Sequence, residues 1–160
     1  MENPFIRLQM ALGGEALEKL RSSHVAVFGI GGVGSYTAEA LARAGVGAIT
    51  LVDNDTVGVS NLNRQLCALH STLGKYKAQA MADRIRDINP DCKVRAICKL
   101  YTEEDKLDFF DTDYSYIADC IDLVSCKLSL IMNARERGIP TISALGTGNK
   151  LDPSKFSITD

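Results

Sequence analysis

A chain of 160 residues and 17.3 kDa suffices for one domain, and folding it would bury about 70% of the surface that the extended chain exposes. With 46% apolar and 24% charged residues the composition excludes disorder as the main state. Eighteen basic against 20 acidic side chains leave a net charge of -2, which excludes a global positive field for nucleic acid or an anionic membrane, so any polyanion must be bound locally.

In chain order, the first 20 or so residues predict one or two short helices, assigned here as an N-terminal helical segment over 1–22. Residues 24 to 30, HVAVFGI, form an apolar, β-branched run that stops at glycine, as a strand buried on both faces does. Val33, Tyr36, Thr37, Ala40, Leu41 and Ala44 then recur at helical spacing, with Gly45 and Gly47 as stop signals. AITLVD at 48–53 is a second strand, which completes a βαβ unit. Residues 54–76 show neither period, and a connection that long inside a domain is usually functional.

Ala78, Met81, Ala82, Ile85 and Ile88 line one face of a helix over 77–89 that Pro90 closes. Beyond it the pattern predicts a strand near 93–98, a short acidic helix near 103–110, a strand at 115–121, a helix near 124–137 ending at Gly138, and a strand at 142–145. FSITD at the end reads as a strand just begun. Strands alternating with helices predict a doubly wound, mostly parallel Rossmann-like sheet with helices on both faces, over residues 23–160.

Gly29, Gly31, Gly32 and Gly34 spell G-x-G-G-x-G between a strand and a helix, where glycine lets the backbone approach a phosphate and the helix start offers free N–H donors. The alternative is a purely structural tight turn. Asp53 closes the second strand 19 residues after Gly34, where a carboxylate can accept ribose hydroxyls; its other reading is a strand-end turn residue, and Asp55 beside it suits a turn or supporting role. To this point a nicotinamide oxidoreductase fits equally well.

Charge separates the two, because a dinucleotide pyrophosphate carries about two negative charges and ATP about four, so ATP needs more cations or a metal. SNLNRQ clusters Asn61, Asn63, Arg64 and Gln65 around one guanidinium, and GKYK places Lys75 and Lys77 at the start of the next helix. The competing reading of these residues is solvated surface. Asp122 follows the strand YIADCI and suits either a helix N-cap or a Mg²⁺ ligand at the carboxyl end of a parallel sheet. Lys127 can face that crevice or solvent, and Arg7 is on chemistry alone an ordinary surface arginine.

Five cysteines without a C-x-x-C pair argue against a disulfide framework and a zinc ribbon, and two distant histidines against a His-based metal site. Cys126, near Asp122, is the cysteine closest to the predicted chemistry. No apolar run approaches the ~20 residues that span a bilayer, and MENPFIRLQM is no signal peptide, so no transmembrane segment and a cytoplasmic location are expected.

The segment HVAVFGIGGVGSYTAEALARAGVGAITLVDNDTVGVSNLNRQ, with KAQA further on, resembles the adenylating domain of the ubiquitin-activating-enzyme superfamily, which includes the ThiF-type enzymes. Within it, RLQMALGGEALEKLRSSHVAVFGIGGVG, CIDLVSCKLSLI and GTGNKLDPSKFSITD are most similar to the branch that dehydrates threonylcarbamoyladenosine in tRNA. That resemblance implies roles. Gly29, Gly31, Gly32 and Gly34 would line the nucleotide phosphates, Asp53 the ribose, and Asn61, Arg64 and Lys77 the triphosphate, with Asp55 and Gln65 in the same cofactor site. Asp122 would hold Mg²⁺, and Arg7 would reach across a homodimer to the partner's ATP.

The resemblance also implies a reaction with tRNA as substrate. The threonyl carboxylate at position 37 attacks the α-phosphorus of ATP, pyrophosphate leaves, and the carbamoyl group closes a ring on the acyl-adenylate with loss of AMP. No covalent enzyme intermediate is required. Members of this branch continue well past residue 160. Two other readings share the nucleotide site: adenylation of a ubiquitin-like or sulfur-carrier protein partner for sulfur transfer, and a nucleotide-binding dimeric scaffold without catalysis.

Overall fold

Alternate side chains of one short strand divide the interior in two. A computed structural model describes residues 3–146, 148 and 151–159. In it β1 (His24–Phe28) sends Val25 and Val27 to one hydrophobic cluster and Ala26 and Phe28 to the other, as the two-residue period of extended backbone requires. Around it run α1 (Ile6–Leu12) and α2 (Gly14–Ser22) before the strand, then α3 (Gly34–Arg43), β2 (Ala48–Val52), α4 (Lys77–Ile88) and β3 (Lys93–Ile97). β4 (Tyr116–Asp119), α5 (Val124–Glu136) and β5 (Thr141–Ser143) follow.

The five strands are parallel throughout, in the order β3-β2-β1-β4-β5. α3 and α4 bury Ala38, Ala42, Ala78, Met81 and Ile85 against Val25, Val27, Ile49 and Leu51. On the opposite face α5 buries Cys126, Leu130 and Ala134 with Ala26, Phe28 and Ile117, helped by Tyr101, Phe109 and Tyr114 from the connection between β3 and β4. The predicted doubly wound α/β architecture is therefore present. The chain leaves β1 toward β2 and β3 on one side and returns to β4 on the other, so the crossovers diverge between β1 and β4. Such a switch point opens a crevice at the carboxyl ends of the strands.

Three expectations need correction. The acidic stretch 103–110 forms only a 3₁₀ turn at Lys106–Asp108. A helix that short is marginal alone, and here Glu103 bonds Lys106, Ser129 and Asn133 while Asp105 and Asp108 both pair with Lys99. These tertiary contacts, with Tyr101 and Phe109 buried at either end, dictate an irregular path. The FSIT residues 156–159 are exposed and form no strand, none of the five described strands pairing with them, and Asp160 lies outside the described residues. Cys126 is a core residue of α5 at 8% exposure and does not approach the crevice. Among the described residues no helix is long and apolar enough to cross a membrane.

His24, at the opposite end of the sheet from the crevice, gives the fold a pH dependence. Its Nε2 shares a hydrogen bond of 2.9 Å with Thr50 Oγ1, and its ring meets Tyr114 edge-on at 4.9 Å. Burial holds the imidazole below its ordinary value of 6.5; Arg95 adds to the shift and a backbone hydrogen bond to Asp113 opposes it. The unfolded chain therefore takes up this proton first, and the stability present above the ordinary value is lost as pH falls through it. Urea midpoints of the wild type are expected to drop between about pH 7 and pH 5.5, and His24→Gln to flatten that drop. An unchanged slope in His24→Gln would remove His24 from the explanation.

Candidate nucleotide site

The glycines that follow β1 do two different jobs. Gly29 has φ +86° and its N–H donates to the Val52 carbonyl at 2.8 Å; a methyl group there would lie 2.6 Å from the Cys120 carbonyl oxygen. Gly34 opens α3, and a methyl on it would overlap the Gly29 carbonyl oxygen. These two are demanded by close packing of strand, turn and helix. At Gly31 and Gly32 the nearest atoms to an added methyl are Gln65 Nε2 at 3.9 Å and Arg64 Cγ at 3.8 Å, so a side chain would fit there without a clash and close packing does not demand glycine. No side chain caps the N-terminus of α3, although the Ser35 N–H already donates to the Gly31 carbonyl at 3.1 Å.

Ser35 fastens the long connection onto this helix start. Its hydroxyl donates to the Gly31 carbonyl at 2.7 Å and accepts from the Leu66 N–H at 3.1 Å. Arg64 and Gln65 are thereby laid over Gly31 and Gly32. Arg64 is exposed, with one guanidinium nitrogen donating to the Ser60 carbonyl at 2.9 Å and to Asn63 Oδ1 at 3.0 Å, which leaves the other side of its fork open. Gln65 is 7% exposed.

Asp53 ties the glycine turn to the end of β2. Its carboxylate accepts from the Ile30 N–H at 2.6 Å and the Asp55 N–H at 2.8 Å. Burial raises its pKa, while those two hydrogen bonds and the charge of Lys77 hold it down. One lone pair on each oxygen remains for a hydroxyl donor. At the first residue of α4, Lys77 is buried and its Nζ lies 2.8 Å from Asp55 Oδ2, a carboxylate that is itself 61% exposed. The ammonium uses one of its three donors in this contact.

Gly29, Gly31, Gly32, Asp53, Asp55, Arg64, Gln65, Lys77 and Asp122 all line one cleft of about 280 Å³ at the carboxyl ends of the strands. The structure thus gathers these nine of the residues singled out from the sequence. Asn61 is not among the lining residues: its Oδ1 accepts from the Gly58 N–H at 2.8 Å and closes the turn that precedes Arg64. Gly34 lies behind the cleft as a packing glycine. Arg7 stands exposed on α1, away from the cleft of its own chain and without an ion pair or hydrogen bond among the described residues.

Asp122 is no N-cap: α5 begins after Leu123, and no side chain caps it. Asp122 is exposed, and among the described residues it has no hydrogen-bond or ion-pair partner. No group of three or more His, Cys, Asp or Glu gathers there that would hold a metal alone. That donor set fits a Mg²⁺ ion that keeps waters, arrives on a triphosphate and needs only one or two protein carboxylates.

Lys99 and Cys120 also line the cleft and were not singled out by sequence spacing. Lys99 follows β3 and is clamped by Asp105 at 3.0 Å and Asp108 at 2.8 Å. Burial pushes the Cys120 thiol up to about 11, partly offset by a hydrogen bond with Thr37, so it is a neutral thiol at physiological pH and no ready nucleophile. Lys127 faces neither crevice nor solvent; it is buried in an ion pair with Asp119.

The model of the ThiF family matches residues 5–156. This chain belongs to that family. Its ThiF-type sequence is 50% identical over 160 residues to the tRNA threonylcarbamoyladenosine dehydratase of Bacillus subtilis, covering 100% of this chain and 63% of that protein. It is 45% identical over 148 residues to the dehydratase of Escherichia coli, covering 92% of this chain and 55% of that one. The crystal structure of the E. coli dehydratase in complex with ATP superposes with a TM-score of 0.96 at 43% identity, over 98% of this chain and 65% of that chain. This chain therefore spans between 55% and 65% of the length of these relatives.

Proposed function

We propose that this ThiF-family chain binds ATP in the cleft at the β1–β4 switch point and belongs to an enzyme that adenylates the threonyl carboxylate of threonylcarbamoyladenosine in tRNA. The observation that carries the reading is that Arg64 and Gln65 lie beside the backbone of Gly32 and Gly31 in a cleft that Lys77 also lines. The similarity to a dehydratase crystallised with ATP supports it.

In this reading the uncapped start of α3 and the Gly31–Gly32 backbone cradle phosphate oxygens, Arg64 grips them as a fork, and Lys77 adds a point charge. Asp53 accepts a ribose hydroxyl. Asp122 would hold Mg²⁺, which would supply further charge neutralisation at the phosphates. A carboxylate oxygen is a poor leaving group until it is esterified to AMP. The protein's task is then to orient the threonyl carboxylate in line with the departing pyrophosphate and neutralise the charge that develops. The carbamoyl group attacks the activated carbonyl, the acyl-phosphate bond breaks, and AMP departs; the net change is loss of water. Cys120, neutral at the cleft wall, has no part in it.

Arg7 completes the reading from outside the subunit. Exposed and unpaired on α1 among the described residues, it is assigned to the ATP site of a second copy in a homodimer. Arg7→Ala and Lys77→Ala are each expected to cut turnover in the full-length enzyme. A mixture of the two is expected to regain activity, because one hybrid site holds both cations. No recovery on mixing would place the whole site within one subunit.

The reaction is tested by incubating the full-length enzyme with ATP, Mg²⁺ and tRNA carrying threonylcarbamoyladenosine. AMP release that depends on this tRNA, with loss of 18 mass units (about that of one water) from the nucleoside, is the expected result. Pyrophosphate exchange driven by a carrier protein and not by tRNA would contradict it.

A further inference from the structure

Lys127 and Asp119 form the most deeply buried ion pair among the described residues, with side chains 8% and 0% exposed and Nζ 2.6 Å from Oδ2. Stability alone does not account for it. Desolvating two charges costs several kcal/mol, roughly what their attraction returns, and well-packed apolar side chains in their place are often neutral or better. We infer that Lys127 and Asp119 are positioning residues, which together aim Asp122 into the nucleotide cleft. The inference rests on the reading of Asp122 as the carboxylate that meets nucleotide-bound Mg²⁺.

The bonding around Asp119 supports this. Asp119 is the last residue of β4, paired in register with Phe28 of β1 and Ser143 of β5. Its Oδ2 accepts from Lys127 and, at 2.5 Å, from the Ser143 hydroxyl, while Lys127 Nζ also reaches Ser143 Oγ at 3.2 Å. Its Oδ1 accepts from the Ile121 N–H at 3.0 Å. The Cys120 N–H still serves the sheet, donating to the Phe28 carbonyl at 2.8 Å. The chain therefore leaves the sheet at Ile121, and the Asp119 carboxylate holds that departure point.

The Lys127 side chain ties the first turn of α5 to this departure point through Asp119, and the backbone bond from the Lys127 N–H to the Leu123 carbonyl at 3.0 Å closes that turn next to Asp122. Asp122 sits between these two anchors. Without a hydrogen bond or ion pair of its own among the described residues, it takes its direction from them. One buried salt bridge thus joins β4, β5 and α5 at the place where the cleft needs an outward carboxylate.

The test is ATP titration by calorimetry, with Mg²⁺ and with EDTA, in wild type and variants. Lys127→Met alone would orphan a buried carboxylate and risk unfolding, so Asp119→Leu is combined with Lys127→Met, and folding is checked by circular dichroism. The expected result is loss of the Mg²⁺-dependent gain in ATP affinity by roughly 10- to 100-fold, with affinity in EDTA kept within about twofold. Ser143→Ala, which keeps both charges, is expected to give a smaller loss in the same direction, and serves if the double variant does not fold. Asp122→Asn is expected to abolish the metal-dependent gain, and adding the pair replacement to it to cost nothing more.

A Mg²⁺-dependent gain unchanged in the pair variant or in Ser143→Ala, with only the melting midpoint lowered, would overturn the positioning role. If Asp122→Asn itself left that gain intact, the reading of Asp122 would fail first, and the positioning role with it.

Discussion

Replacing Lys77 by alanine is expected to weaken ATP binding by about 1–3 kcal/mol, roughly 5- to 150-fold, the loss of a charge-assisted hydrogen bond. The fold should tolerate the change, because the partner left behind, Asp55, is 61% exposed and an unpaired surface carboxylate costs little. Arg64→Ala is expected to act in the same range, and Arg64→Lys to recover only part of it, since a point charge does not replace a planar fork. Lys77 already has a carboxylate partner, so ATP would share the ammonium with Asp55 through its two remaining donors. Calorimetric titration of each variant checks this. Nucleotide affinity unchanged in both Lys77→Ala and Arg64→Ala would remove these cations from the site.

The glycine turn makes the second large prediction, and it divides the motif in two. Gly29→Ala places a methyl group against the Cys120 carbonyl at a backbone angle that alanine disfavours, and Gly34→Ala drives one into the Gly29 carbonyl. Both are backbone collisions where strand, turn and helix pack together, so losses beyond about 3 kcal/mol of stability, or failure to fold, are expected. Gly31→Ala and Gly32→Ala meet nothing closer than 3.8 Å and should fold with melting temperatures near that of the wild type. They should lose ATP affinity instead, because the methyl stands where phosphate must approach the backbone. Thermal melts and titrations on the four variants separate the classes. Equal destabilisation of all four would mean that the motif is a structural turn only.

Most of the framework was legible because strands buried on both faces appear as short apolar runs, and amphipathic helices repeat at their own period. HVAVF, AITLV and the Ala78–Met81–Ile85 face carry that signal without help from the rest of the chain. The glycine and cation side of the cleft was legible for the same reason, since Gly31, Gly32, Arg64 and Lys77 belong to local motifs that follow two strands. What escaped depends on register between elements. Lys127 occupies an inward position of α5, in step with Leu130 and Ala134, so a buried lysine in need of a carboxylate was discoverable from helical spacing. Its partner, Asp119, is selected by the pairing of β4 with β5, which spacing does not reveal. The acidic stretch 103–110 went the other way: its charges suggested a helix surface, yet they are spent on Lys99, Lys106, Ser129 and Asn133. Cys120 and Cys126 exchanged roles because one follows a strand end and the other faces the core of α5.

The decisive measurement is a parallel titration of the chain with ATP and with NAD in the presence of Mg²⁺, repeated on the Arg64→Ala, Lys77→Ala double variant. A triphosphate held by these two cations over the glycine turn requires that ATP bind the wild type more tightly than NAD, and that the double variant lose this preference while remaining folded. NAD binding as tightly as ATP, or an ATP preference that survives removal of both cations, would contradict it.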